Sequence, residues 1–360
     1  MREQRTATRR RVLEAAGTVG LASVAGLAGC LGGAAPQGET ESLASGAGTG
    51  SDSTSGRGGR DSLTVFHAGS LSPPFSAVED AFEAERGVAV DREPKGSVGS
   101  TKKVTEQGRS ADVLGVSDYR LLRDVLVPEF GDWYAIFATN ALTIAYTDDS
   151  TGADEIGPDN WWEVLARDDV TFAHSDPAVD PNGYRSVMAM QLGAVEFRGE
   201  RLFDESTSKA LREKALVPTG TETELFGQLR SGKLDYAWQY QSAEASRDVN
   251  TVDLQPAVDL SEASAEYADH YANAAVEAGG TTYTGAPIAY GVAVPGTAEA
   301  PDLGREWVEF LVSEPGREIL AENGFSPVAP AVVPSSVEGA VPENVLAHAE
   351  ARETLGPLRL

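Results

Sequence analysis

One stretch narrows the choices for this chain more than any other: the run from Phe172 to Leu192. Val170 to Phe172 reads as a strand. A turn rich in Ser, Asp, Pro, Asn and Gly follows, and from Pro181 the apolar spacing becomes that of an amphipathic helix. Asp180 before Pro181 predicts an N-cap followed by the first helical residue. A helix start of this kind presents free backbone N–H groups and the positive end of the helix dipole. It reads as half of an anion site.

The same grammar recurs along the chain. Leu63 to His67 alternates like a first strand, and Gly69-Ser70 leads into a helix with Phe75, Val78 and Phe82 on one face. A second strand at Gly87 to Val90 leads to Gly96-Ser97 and a second helix. A third strand at Ala111 to Leu114 leads to a helix over Tyr119 to Leu126. This alternation predicts an α/β fold with a largely parallel sheet. Trp133 to Tyr146 reads as one long strand-like run leaving a first lobe, and Ala286 to Pro295 as the return to it. Between them lie a short helix from Asn160, a helix from Glu222 to Leu229, a buried strand from Leu234 to Trp238, and a helix start at Tyr240-Gln241-Ser242. Trp307 to Leu320 reads as one amphipathic helix, Gly324 to Val328 closes the fold, and the acidic last residues read as a partly loose tail.

Ahead of this body, Arg9-Arg10-Arg11, an apolar run from Ala15 to Ala28 and the ending Leu27-Ala28-Gly29-Cys30 describe an export signal. The arginines resemble a twin-arginine signal and the ending resembles a lipobox, which would lipidate Cys30. Residues 31–60, rich in Gly, Ser and Thr, read as a flexible linker. The domain reading is therefore an export signal over 1–29, a linker over 30–61, lobe I over 62–142 and 284–345, lobe II over 143–283, and a tail over 346–360. The net charge of −26 disfavours nucleic acid as a partner. It reads instead as the acidic surface of a halophile. At ~1 M salt the screening length is only ~3 Å, so such a surface hardly repels an anion.

Elimination narrows the chemistry. Cys30 is the single cysteine, so no intrachain disulfide forms. His67, His174, His270 and His348 make no closely spaced ligand pair, and His67 and His174 read as packed or hydrogen-bonded at strand ends. Nucleophile-elbow, P-loop and dinucleotide motifs are missing. What remains is a set of polar helix starts: Gly69-Ser70, Gly96-Ser97, Asp180-Pro181-Asn182 and Tyr240-Gln241-Ser242. Each alone is satisfied by a helix cap. In α/β folds, however, ligands sit at the C-terminal ends of strands, where all four lie. Together they suggest an oxyanion cradle between two lobes.

Several motifs in order carry a resemblance. They are His67 to Ser72, Arg92 to Pro94 with Gly96-Ser97, Ala111-Asp112 with Ser117 to Tyr119, Asp132 to Tyr134, and Asn140 with Ile144 to Thr147. Further on come Ser175 to Pro177, Asp180-Pro181 with Gly183 to Ser186, Asp235-Tyr236 with Tyr240 and Ser242, and Pro287-Ile288 with Tyr290-Gly291. Over Leu63 to Val328 the chain resembles the archaeal tungstate/molybdate-binding proteins of ABC importers. The resemblance implies a two-lobed, type II periplasmic-binding-protein-like fold with the ligand cleft at the hinge. It places the oxyanion-binding positions on Gly69, Ser70, Ser97, Asp180, Pro181, Asn182, Glu222 and Tyr240, with Glu224 as the alternative to Glu222. Asn182 stands where a small residue or Cys is usual in the family, and Gln239 is polar where the family often differs.

In that family two carboxylates bond the metal of the oxyanion, here Asp180 and Glu222. Carboxylates repel sulfate or phosphate, whereas the hard centres W(VI) and Mo(VI) accept two further oxygen ligands. The implied protein is no enzyme and needs no cofactor. Its ligand is tungstate or molybdate and its partner an ABC permease in the membrane. It is expected to be a monomer, held by Cys30 at the extracellular face. The rival readings are a receptor for sulfate, phosphate or a small organic anion, a cleft hydrolase using Asp180 and Glu222 as acid and base, and a sensor for the anion.

Overall fold

A β-strand that ends in Gly-Ser can stop, turn and start a helix in very few residues, and the first two strands do so. The computed structural model describes residues 62–360. The export-signal, linker and Cys30 readings lie outside the described residues. β1 (Ser62–Ala68) pairs in parallel with both β2 (Ala89–Lys95) and β3 (Val113–Val116). The helix Ser72–Arg86 between β1 and β2 starts on two prolines and ends at Gly87, whose φ of 67° suits glycine. Its buried face carries Pro74, Phe75, Val78 and Phe82. Phe75 and Phe82 meet Trp307 edge-on at 5.8 and 5.4 Å.

The run from Trp133 to Tyr146 is two strands, not one. β4 (Ala135–Thr139) belongs to the sheet of β1, and β5 (Leu142–Tyr146) opens a second sheet. The break falls at Asn140, whose side-chain Oδ1 accepts from Ala141 N at 2.9 Å while its Nδ2 donates to Ser242 Oγ at 2.9 Å. The second sheet adds β6 (Phe172–Ala173), β7 (Tyr236–Tyr240) and β8 (Asn250–Asp253), in the order β6-β7-β5-β8. A hairpin, β9 (Ala275–Ala278) and β10 (Thr281–Thr284), turns through Gly279 and Gly280, both at positive φ. β11 (Ala289–Ala293) then returns to the first sheet.

The first sheet runs β13-β12-β4-β11-β3-β1-β2, with β12 (Ser326–Pro334) and β13 (Ala349–Arg352) at one edge. The expected largely parallel sheet is instead mixed. β11 is antiparallel to β3 and β4, and β12 to β4. β4 leaves at its C-terminal end, so a strand coming back from the second sheet enters at that same end and runs the other way. In the second sheet only β6 and β7 are parallel.

Two further expectations are corrected. The helix over Trp307 to Leu320 is two helices, Pro301–Val312 and Glu314–Glu322, with Ser313 extended between them. Pro315 has no N–H to donate, and its ring would strike the carbonyl of residue 311 in a continuous helix. The supposed loose tail contains β13, which pairs in parallel with β12 from Ala331↔Ala349 to Pro334↔Arg352. The last residues are held as well: Arg359 O accepts from Tyr119 Oη and Arg123 Nη1, each at 2.8 Å.

Trp307 is fully buried where the first helix meets the C-terminal pair. Trp307→Ala is expected to lower the unfolding free energy by about 3–5 kcal/mol. Urea unfolding of wild type and variant at one fixed KCl concentration measures the loss.

Candidate functional site

The four polar helix starts converge at the junction of the two sheets. Two glycines allow it. A Cβ on Gly96 would stand 2.3 Å from Val179 O and 3.0 Å from Asp180 Cβ, and Gly99 N donates to Val179 O at 3.2 Å. A Cβ on Gly69 would lie 3.0 Å from Thr223 Oγ1 and 3.2 Å from Glu222 Oε1. Gly69 and Gly96 lie in the turns after β1 and β2 of the first sheet. Val179, Asp180, Glu222 and Thr223 come from the segments between β6 and β7 of the second. Without side chains at these two positions the backbones can close to van der Waals contact.

Asp180 caps the helix Pro181–Leu192 as its sequence predicts, with Oδ1 accepting from Asn182 N at 3.2 Å. Its other oxygen, Oδ2, accepts from the backbone N–H of Glu222 at 2.9 Å. Asp180 and Glu222 are each 2% exposed. Burial pushes the Glu222 carboxyl well above its usual range, and the charge and hydrogen bond of Asp180 push it the same way; the N–H of Ser70 pulls weakly against them. Two carboxyls in contact cannot both hold a charge at little cost, so the Asp180 charge opposes ionisation of Glu222. Glu222 Oε2 and Asn182 Nδ2 are buried without a hydrogen-bond partner. A cavity of ≈ 20 Å³, about one water in size, is lined by Ser70, Glu222, Gln239 and Tyr240 among others. Gln239, which the sequence left without an account, donates to Glu222 O at 2.7 Å and so fixes the turn that carries this carboxyl. Glu224, the alternative carboxyl, is exposed.

The hydroxyl groups form a second arc. Ser97 Oγ accepts from Ser117 N at 2.9 Å and lies 3.0 Å from Ser117 Oγ. Ser70 Oγ lies 3.0 Å from the Tyr290 hydroxyl, and the rings of Tyr290 and Tyr240 meet edge-on at 5.9 Å. Tyr240, at the end of β7, accepts from Arg185 Nη1 at 2.8 Å. Pro181 stands at the first helical position and contributes fixed geometry rather than a donor.

Sequence reasoning named Ser117, Asp118, Arg185 and Tyr290 only as members of motifs, with no role. Arg185 is buried in the middle of an apolar helix face, flanked by Tyr184, Met188 and Ala189. A charge in such a setting is the signal that could have singled it out. Burial pushes the Asp118 carboxyl up, but the guanidinium groups of Arg120 and Arg185 overcome this and hold it well below the carboxylate range. His67 and His174 are structural, each buried with Nδ1 donating to a backbone carbonyl, at 2.8 Å to Ala68 O and 2.7 Å to Ser175 O. Among the described residues, no cluster of three or more His, Cys, Asp or Glu could hold a metal cation. No described helix is long and apolar enough to cross a membrane. The arrangement is a buried nest of hydroxyl, amide and backbone donors with two carboxyls in its wall.

Comparison with known proteins places this geometry in context. Residues 63–326 match the model of a family described as bacterial extracellular solute-binding protein. An uncharacterized solute-binding protein of Methanoculleus marisnigri is 41% identical over 301 residues, covering 75% of this chain and 82% of the relative. The molybdate/tungstate-binding protein WtpA of Pyrococcus abyssi is 38% identical over 352 residues, covering 89% and 96%. Among solved structures, the sulfate-binding protein SubI of Mycobacterium tuberculosis superposes with a TM-score of 0.56 at 19% identity, covering 78% of this chain and 89% of that one. At that identity the likeness is one of fold: two lobes, each built on its own sheet.

The raised Glu222 carboxyl has a consequence for stability. A group whose folded-state value lies above its ordinary 4.5 stabilises the fold below that value, and the contribution fades as pH rises through the displaced one. Glu222→Gln removes the fading. The variant's advantage in unfolding free energy over the ligand-free wild type is therefore expected to be small near about pH 5 and to grow toward about pH 8. Denaturant unfolding across that range measures it.

Proposed function

The chain belongs to the bacterial extracellular solute-binding protein family, and from that premise we propose that it binds tungstate or molybdate outside the cell and delivers the anion to an ABC importer. The observation that carries this reading is the contact between Asp180 and Glu222 inside a nest of anion-type donors. Sulfate or phosphate gains nothing from a carboxylate wall and is repelled by it. A W(VI) or Mo(VI) centre takes two more oxygen ligands, so the same wall attracts its oxyanion. Asp180 and Glu222 would bond the metal of the ligand. Gly69, Ser70, Ser97, Asn182 and Tyr240 would donate to its oxygens, with Pro181 holding the turn. The unpartnered Asn182 Nδ2 and Glu222 Oε2 fit such a ligand, one as a donor and the other as a metal-bonding oxygen.

The rest of the proposal follows from this site. Lobe I would comprise residues 62–142 and the chain from 284 onward, β13 included, and lobe II residues 143–283. The anion would bond to both lobes only in the closed arrangement and so shift the population toward it. The function would be capture and release, with no covalent chemistry and a membrane permease as receiver. Export on the N-terminal signal and lipidation of Cys30 would keep a monomeric receptor at the outer face of the membrane.

Calorimetry of the chain in ~2 M KCl, where long-range charge is screened, tests the reading. Tungstate and molybdate are expected to bind and sulfate to give no heat. Asp180→Asn and Glu222→Gln are each expected to weaken binding by at least the ~10–100-fold that outer partners of a metal site cost. Sulfate binding, or tighter binding by Glu222→Gln, would overturn the proposal.

A further inference from the structure

Arg185 is 2% exposed and sits on the helix that Asp180 caps, yet its guanidinium serves groups on both sides of the site. Nη1 donates to Tyr240 Oη at 2.8 Å, in the second sheet, and to Ser117 O at 2.9 Å, in the turn after β3 of the first. Nη2 lies 3.5 Å from Asp118 Oδ2. The neighbouring Tyr184 hydroxyl donates to the same Asp118 oxygen at 2.7 Å, so two consecutive residues of one helix grip one turn of the opposite sheet. Arg120 holds Asp118 from its own side, at 2.6 Å.

Three physical consequences follow. A guanidinium can only donate, so the Tyr240 oxygen it touches must accept, and the phenolic hydrogen points elsewhere. Burial also keeps that phenol protonated, with its titration displaced upward. Tyr240 is thereby left as a donor, the role that an oxyanion requires. The turn gripped by Arg185 is also the one whose Ser117 N–H donates to Ser97 Oγ. Arg185 thus joins Tyr240 and Ser97, on opposite sides of the cleft, through one hydrogen-bonded chain. Finally, Arg120, Asp118 and Arg185 together carry one net positive charge, buried behind a site proposed to accept a dianion beside two carboxyls. In a low-dielectric interior such a charge acts over a longer range than at a surface.

We propose that Arg185 is the positioning residue of the anion site, gripping Ser117 and Asp118 across the cleft so that Tyr240 is presented to the ligand as a hydrogen-bond donor. This rests on the tungstate/molybdate reading of the site. Arg185 does not touch the ligand; it acts through Tyr240 and through the closed arrangement of the two sheets.

A double-mutant cycle on the full chain tests it, with tungstate as the probe. Arg185→Lys keeps the charge but cannot span three acceptors with a planar fork. It is expected to keep the wild-type fold by circular dichroism and to weaken binding about tenfold or more, mostly through faster dissociation. Tyr240→Phe is expected to weaken binding comparably. The combined variant should bind no more weakly than the worse single variant, because both changes remove one donor. Arg185→Gln, which keeps two donors without charge, separates hydrogen bonding from electrostatics; partial recovery relative to Arg185→Lys places the effect in the hydrogen bonds. Unchanged affinity in Arg185→Lys, or losses that multiply in the double variant, would overturn the role of Arg185 and leave the functional reading standing. A wild-type chain that binds neither tungstate nor molybdate would overturn both.

Discussion

Two carboxyl groups pressed together out of contact with water set the terms for everything around them. Asp180 and Glu222 come from segments 42 residues apart, and the nearby Arg247, which lines the same small cavity as Glu222, makes no ion pair with either among the described residues. The surrounding structure holds their contact in place. Asp180 is committed to two backbone N–H groups, at the start of its own helix and at Glu222. The Glu222 turn is anchored from β7 by Gln239. Glycines at 69 and 96 let the opposite sheet approach until its backbone nearly touches this pair. Such a contact would be a liability in a purely structural core, where apolar packing of the same volume serves better. It is intelligible where a ligand replaces the carboxyl–carboxyl contact with something stronger.

The fold serves that junction by bringing the ends of two sheets together there. One continuous buried apolar cluster runs from Leu63, Phe75 and Trp307 beside the first sheet to Ile144, Trp161 and Trp238 beside the second, and the chain crosses between the sheets at Asn140 and again before β11. Asn140 bonds the crossing to the Ser242 helix start. Arg185 and Tyr184 reach the other way, from the second sheet to the turn after β3. The cleft is therefore bordered by polar side chains with defined partners, whose directional contacts join its two sides. That is the mechanical character a capture-and-release protein needs: tight when occupied and separable when not.

Much of this was legible in the sequence where the information is local. The Asp180-Pro181 cap, the glycine-led turns and the alternation of strand and helix depend on residues a few positions apart. What failed to show depends on distant partners. Arg185 looks like an ordinary member of a helix until its bonds to residues 55 and 68 positions away are seen. Glu222 and Glu224 are indistinguishable in sequence; only burial separates them. The charged segment Ala349–Arg352 reads as loose tail because an edge strand carries its charges openly, and its pairing with β12 is invisible from composition. The split at Ser313 was foreseeable from Pro315, but the apolar spacing continued across it and hid the break.

The order of strands in the first sheet has a consequence for how the chain acquires its shape. β11 lies between β3 and β4, so these two strands, made early, are joined into one sheet only when a segment more than a hundred positions later slots between them. Until then both present open hydrogen-bonding edges. Folding is dominated by non-local pairing and is correspondingly slow. A growing chain would leave those edges exposed to other chains through most of its synthesis. The late arrival of β11 is thus the step on which protection from aggregation turns, and a slow β11 would leave a half-built sheet with a gap at its centre.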